Sequence, residues 1–197
     1  APLSWLSEGK NPGQHRLSFE ELLAHRLCMR RFKSDAQQQS APKFSDSPAL
    51  VASFLEALPF TLTNGQQRAY KEIADDLARA CPMLRLLQGD VGSGKTVVAA
   101  LSALHAIAQG YQVAIMAPTE LLAEQHFANF CQWFEPLGIN VGWLSGKTKG
   151  KARITQLASV DNGDCQLLVG THALFQDEVI YAKLGLIIID EQHRFGV

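Results

Sequence analysis

Gly89-Asp90-Val91-Gly92-Ser93-Gly94-Lys95-Thr96 matches the pattern G-x-x-x-x-G-K-[ST] at every position, and each residue type in it has a chemical reason. Glycines let successive backbone N–H groups turn inward around phosphate oxygens. A helix opening at the end of the string adds the partial positive charge of its N-terminus. The Lys95 ammonium reaches the β- and γ-phosphates of a nucleotide, and the Thr96 hydroxyl reaches a Mg2+ ion. A second string, Leu186-Ile187-Ile188-Ile189-Asp190-Glu191-Gln192-His193, is an apolar run that ends in two carboxylates. A carboxylate at the end of a buried strand beside a phosphate loop holds Mg2+ directly or through water. The next one orients and deprotonates an attacking water. Asp190 is therefore assigned to the metal with Thr96, and Glu191 to the base. With Lys95 they form the catalytic set for nucleotide hydrolysis. Gln192 and His193 receive no role from the physics of this one site.

Other strings admit two readings each. Thr63-x-x-Gln66 after Phe60 has the spacing of a capping box that opens a helix; alternatively, Gln66 hydrogen-bonds adenine with Phe60 packed nearby. Ala117-Pro118-Thr119-Glu120 ends a strand and opens a helix. Its N-terminal N–H groups suit a DNA phosphate, and Thr119 with a first-turn Glu equally makes an ordinary N-cap. Gly170-Thr171-His172 follows the next strand in the same way, although a lone His is more often a packed or surface residue. Ser145-Gly146-Lys147-Thr148-Lys149-Gly150-Lys151-Ala152-Arg153 is the densest basic stretch. It suits phosphate contact or a solvated loop, with the balance slightly toward the loop. Trp143 beside it reads as core.

The elements that must position these residues follow from periodicity. Strand-like apolar runs occur at 83–88, 112–117, 139–144, 166–170 and 185–190, with helices starting near Gly94, Glu120 and Lys149. Alternation of strand and helix predicts an α/β fold, a doubly wound parallel sheet with ligands at the carboxyl ends of its strands. The helix over 95–109 is apolar almost all round and should be buried. Upstream, 64–80 reads as an amphipathic helix with Tyr70, Ile73 and Leu77 on one face. A short helix is expected around 49–58 and a loop over 34–48. Ser18 and Glu21 have capping-box spacing with Leu17 and Leu22 as staple, so a helix should open there with Phe19, Leu22, Leu23 and Leu27 on one face. Residues 1–16 read as a loop.

Bulk composition narrows the class. A chain of 197 residues, 47% hydrophobic and 19% charged, is an ordinary globular protein with room for one domain and an appendage. The net charge of -1 gives no global signature of nucleic-acid binding, so any DNA contact must be local. Cys28, Cys81, Cys131 and Cys165 form no C-x-x-C pair, which argues for reduced cysteines rather than a metal site or disulfides. No apolar run suggests a membrane span, and the start does not read as a signal peptide. The missing initiator Met suits a piece of something longer. A non-motor nucleotide switch would use the same phosphate loop, but a guanine-reading N-K-x-D is absent.

Taken in order, Gln88 to Thr96, Ala117-Pro118-Thr119-Glu120-Leu121-Leu122-Ala123-Glu124-Gln125-His126, Val169-Gly170-Thr171-His172-Ala173 and Asp190 to Val197 resemble superfamily 2 helicases, and more closely the RecG family. The likeness runs from about Leu17 to the end. The transcription-repair coupling translocases are the nearest alternative; Ser93 and Gln192 depart from their usual Phe and Glu. The resemblance implies a RecA-like first motor lobe over 59–197, truncated at its C-terminal end, after an N-terminal linker and helical segment over 1–58. It implies an ATP- and Mg2+-dependent, monomeric enzyme of the bacterial cytosol and nucleoid that remodels forks and Holliday junctions. It further implies that Gln66 reads adenine, that Pro118, Thr119, Glu120, Thr171 and His172 touch DNA, and that Gln192 and His193 couple the nucleotide site to movement. A branched-DNA wedge domain is expected upstream and a second lobe with an arginine finger downstream, so that this piece alone binds nucleotide weakly.

Overall fold

The computed structural model describes residues 12–90 and 92–191. Helix α1 spans Pro12–Gln37, α2 Pro48–Ala57, α3 Asn64–Leu77 and α4 Lys95–Ala108. Strand β1 is Gln112–Met116, followed by α5 Glu120–Phe134, β2 Val141–Leu144, α6 Gly150–Asp161, β3 Leu167–Gly170 and β4 Leu184–Ile189. Every strand pair is parallel, and the sheet order is β2-β3-β1-β4. This is the α/β architecture with flanking helices that the alternating pattern predicts.

Two compact units make up the described residues: 12–41 with Ala80–Leu84, and Pro42–Arg79 with 85–191. The second takes in Phe44, Val51, Phe54 and Leu58, all buried, so residues 42–58 pack with the phosphate-loop unit although the sequence division falls at 58/59. Phe54 meets Trp133 and Phe134 edge-on at 6.0 and 5.9 Å between centroids, which seats α2 on α5. Helix α4 is buried along most of its length, from Val97 to Ile107, as its all-round apolarity requires. β2 and β3 approach so closely that a Cβ on Gly170 would strike the Leu144 carbonyl. Trp143 is half-buried rather than core.

Four further expectations need correction. Helix α1 does not open at Ser18 but at Pro12, where a missing N–H costs nothing. It runs on to Gln37, through part of the expected loop over 34–48. The Ser18–Glu21 pair is thus mid-helix, and Leu17, Phe19, Leu22, Leu23 and Leu27 are exposed. The part of the expected loop over 1–16 that is described is helical, and 1–11 lie outside the described residues. The run 83–88 is not a strand. A strand needs a ladder partner, and among the described residues it has none. Leu86 is 74% exposed, and Arg85 is held instead by Asp76 and Glu72 of α3 at 2.6 and 2.9 Å. The other four strands lie within two residues of their predicted bounds. At the far side of the sheet, β4 pairs only with β1 among the described residues, and its Ile187 and Ile189 are 47% and 44% exposed.

Candidate nucleotide-binding site

The register brings the candidate residues to one edge. Met116 stands opposite both Gly170 and Ile189, so β1, β3 and β4 end together. The segments that follow them, Ala117–Glu120, Thr171–His172 and Asp190–Glu191, emerge side by side where parallel sheets take ligands. The Asp190 N–H donates to the Met116 carbonyl at 2.9 Å and prolongs the ladder by one rung.

The phosphate loop has the backbone its glycines allow. Gly92 and Gly94 have φ of 80° and 77°, the left-handed region that a side chain disfavours. Gly94 caps α4, and a Cβ there would collide with the Gln66 amide nitrogen. The Lys95 ammonium donates to the carbonyls of Gly89 and Asp90 at 2.8 and 3.0 Å, folding back over the loop. Ser93 is exposed and Thr96 half-buried; Val91 lies outside the described residues.

Gln66 does two things at once. Its Oε1 accepts the Thr63 N–H at 2.8 Å while its own N–H donates to Thr63 Oγ1 at 3.3 Å, the full capping box. Its Nε2 also donates to the Ser93 carbonyl at 2.9 Å, a tie between helix start and phosphate loop that sequence reasoning had not found. Phe60, three residues before the cap, is 45% exposed.

The Asp190 carboxylate is held by two hydrogen bonds. His126 Nε2 meets its Oδ2 at 2.7 Å, and the Glu191 N–H donates to its Oδ1 at 3.0 Å. The His126 hydrogen bond is the main reason its carboxyl titrates below the usual carboxylate range. Burial opposes that shift, and His126, the Glu191 N–H and the Lys95 charge assist it. The Lys95 contribution puts loop and strand end within electrostatic reach of each other. Glu191 is half-buried with φ of 52°, a conformation uncommon outside glycine and found where function holds strain. Gln192 and His193 lie outside the described residues. His126 was missed as a site residue, although it stands seven positions after the Thr119 cap and so on its side of the helix.

The proposed DNA residues sit where the second reading of each also put them. Thr119 is the N-cap of α5 and accepts the Leu122 N–H at 3.3 Å. Pro118 and Glu120 are half-buried, and Glu120 pairs with Lys147. The Thr171 N–H donates to the Leu144 carbonyl at 3.4 Å, and His172 opens the turn after it, exposed. In the basic stretch, Arg153 pairs with Glu178, so two of its cations have acidic partners within the chain.

Comparison with known proteins adds independent findings. The DEAD/DEAH box helicase family matches residues 63–197. The ATP-dependent DNA helicase RecG of Pasteurella multocida is 59% identical over 195 residues, 99% of this chain and 28% of the relative. Its counterpart from Escherichia coli O157:H7 is 58% identical with the same coverage. The chain therefore spans little more than a quarter of these relatives. A solved RecG bound to a three-way DNA junction superposes with a TM-score of 0.83 at 41% identity, over 92% of this chain and 25% of that one. A hypothetical ATP-dependent RNA helicase from Sulfolobus tokodaii shares the fold, with a TM-score of 0.57 at 18% identity over 76% of this chain and 43% of that one.

Proposed function

Because the chain belongs to the DEAD/DEAH box helicase family and sides with the RecG proteins along nearly its whole length, we propose that it is the ATP-binding lobe of an enzyme that hydrolyses ATP to remodel branched DNA, regressing forks and migrating Holliday junctions. The observation that carries the ATPase reading is the gathering of Lys95, Asp190 and Glu191 at one sheet edge, with the Lys95 charge acting on Asp190. The branched-DNA reading is supported by the relative bound to a three-way junction.

The residues fit a Mg2+ ion. Asp190 is ionised at neutral pH, each of its oxygens keeps a lone pair beyond its present hydrogen bond, and Thr96 adds a hydroxyl; these are the hard oxygen donors Mg2+ takes. When bound, the ion neutralises charge on the phosphates and orients them. Lys95 exchanges its two loop carbonyls for phosphate oxygens, a charge-assisted gain. Glu191 positions the attacking water and takes its proton. Gln66 has one N–H and one lone pair left after its two ties, which match the N7 acceptor and N6 donor of adenine; Phe60 covers the base. Thr119, Pro118, Glu120, Thr171 and His172 meet the DNA backbone, few contacts with a gentle salt dependence. Gln192 and His193 link nucleotide state to movement. The enzyme works as a monomer in the bacterial cytosol, at the nucleoid; among the described residues no helix is long and apolar enough to cross a membrane.

The test uses the complete protein that carries this chain. It should convert a synthetic fork and a four-way junction in the presence of ATP, and Lys95→Ala should abolish both conversion and ATP hydrolysis without changing the melting temperature. Clearance of a stalled RNA polymerase with no action on junctions would replace this reading by that of a coupling translocase.

A further inference from the structure

Helix α5 carries a group into the nucleotide site from outside the two chemical strings. His126 and Asp190 are separated by 64 residues and joined by a 2.7 Å contact. Their side chains are 13% and 29% exposed. A carboxylate only accepts, so the proton of this hydrogen bond sits on His126 Nε2. The other ring nitrogen, Nδ1, is then buried with no partner among the described residues. A histidine present only to pack would satisfy both nitrogens or give way to an apolar side chain. Here the ring leaves Nδ1 unserved in order to face Asp190. Phe130, one turn on, lies 6.5 Å from the ring between centroids and backs it.

We propose that His126 is a positioning residue for Asp190: it fixes the carboxylate in the orientation its metal role needs and joins it to helix α5. The proposal rests on the metal reading of Asp190 given above. With Oδ2 held by His126 and Oδ1 by the Glu191 N–H, the carboxylate plane is set and its remaining lone pairs are aimed. Partners of metal-binding carboxylates commonly change metal affinity about 10–100-fold when removed. The same helix is capped by Thr119, roughly 10.5 Å along its axis from His126 at 1.5 Å per residue, so both belong to one rigid element.

The test compares His126→Phe, which keeps the ring shape without the donor, with His126→Gln, whose amide nitrogen reaches about as far as Nε2. In the complete protein, a fluorescent ADP analogue is titrated in EDTA and then with rising Mg2+. His126→Phe should bind the analogue normally in EDTA but need about 10–100-fold more Mg2+ for the metal-dependent gain, and His126→Gln should recover most of the loss. A Phe variant with wild-type Mg2+ dependence, or a Gln variant as impaired as Phe, would overturn the proposal. Asp190→Asn, run alongside, should also lose the Mg2+ dependence. If it does not, the metal reading of Asp190 falls and this proposal falls with it; if it does while His126→Phe is normal, only the His126 role is lost.

Discussion

Gln66→Glu separates the two duties of one side chain. Glutamate keeps an acceptor at the place of Oε1, so the bond from the Thr63 N–H survives, and an acidic residue in the first turn of α3 also suits the helix dipole. What disappears is every N–H of the amide: the 2.9 Å bond to the Ser93 carbonyl and the donor left for adenine N7. The lost bond to adenine, at about 1 kcal/mol, gives roughly a 5-fold loss of ATP affinity, before any repulsion between the new carboxylate and the phosphates. The Ser93 bond is made in the free protein, so its loss should lower the melting temperature by about 2–4 °C, the shift expected for 1 kcal/mol in a unit of this size. Gln66→Ala loses the cap bond as well and should melt about 2–4 °C below Gln66→Glu, for one further bond of about 1 kcal/mol. The measurements are a fluorescent-ATP titration and a thermal melt on the complete protein. If Gln66→Glu binds ATP within twofold of wild type while Gln66→Ala melts lower, the residue is a helix cap and nothing else.

Three further outcomes are expected. Glu191→Gln should bind ATP and turn it over roughly 10²–10⁴-fold more slowly; loss of binding instead would make Glu191 structural or a direct metal ligand. Gln112→Leu should cost about 3 kcal/mol in urea unfolding, because its buried amide serves the carbonyls of Val160 and Cys165 and the N–H of Lys183, all within 2.9 Å; a loss under about 1 kcal/mol would mean those groups find other partners. Burial pushes the Cys165 thiol up to about 11, so at pH 8 it stays protonated and iodoacetamide should modify exposed Cys28 well before it; equal labelling rates would show that the pocket around Cys165 opens readily.

What the sequence revealed and what it hid divide along the range of the interaction. The phosphate loop is legible because its requirements are local: φ above zero at Gly92 and Gly94 and a cation at Lys95 all fall within one turn. The parallel sheet is legible because β1, β3 and β4 are short apolar runs set between helical periods. The run 83–88 carries the same apolar signal and forms no strand, since a strand is a property of two segments and the composition of one does not supply the other. The Ser18–Glu21 box failed for a related reason: its residue types suit a helix start, but nothing upstream stops the helix before Pro12. Gln112 reads as one polar residue in an apolar strand, and its service to three distant backbone groups emerges only once those segments are folded around it. His126 is visible as a helix residue and invisible as a partner of Asp190, because the pairing depends on how α5 lies over the end of β4.

The open side of β4 sets how this chain behaves in bulk solution when nothing else covers it. Along that side a row of backbone N–H and C=O groups has no ladder partner among the described residues, and two isoleucines stand partly bare beside it. An edge of this kind templates pairing between molecules. Its losses would be second-order in protein, set by encounter rate rather than by the unfolding equilibrium, so dilution would preserve the isolated chain better than cooling. A lysine in place of Ile187 would act as a gatekeeper, slowing self-association by charge while leaving the buried face at Leu186 untouched.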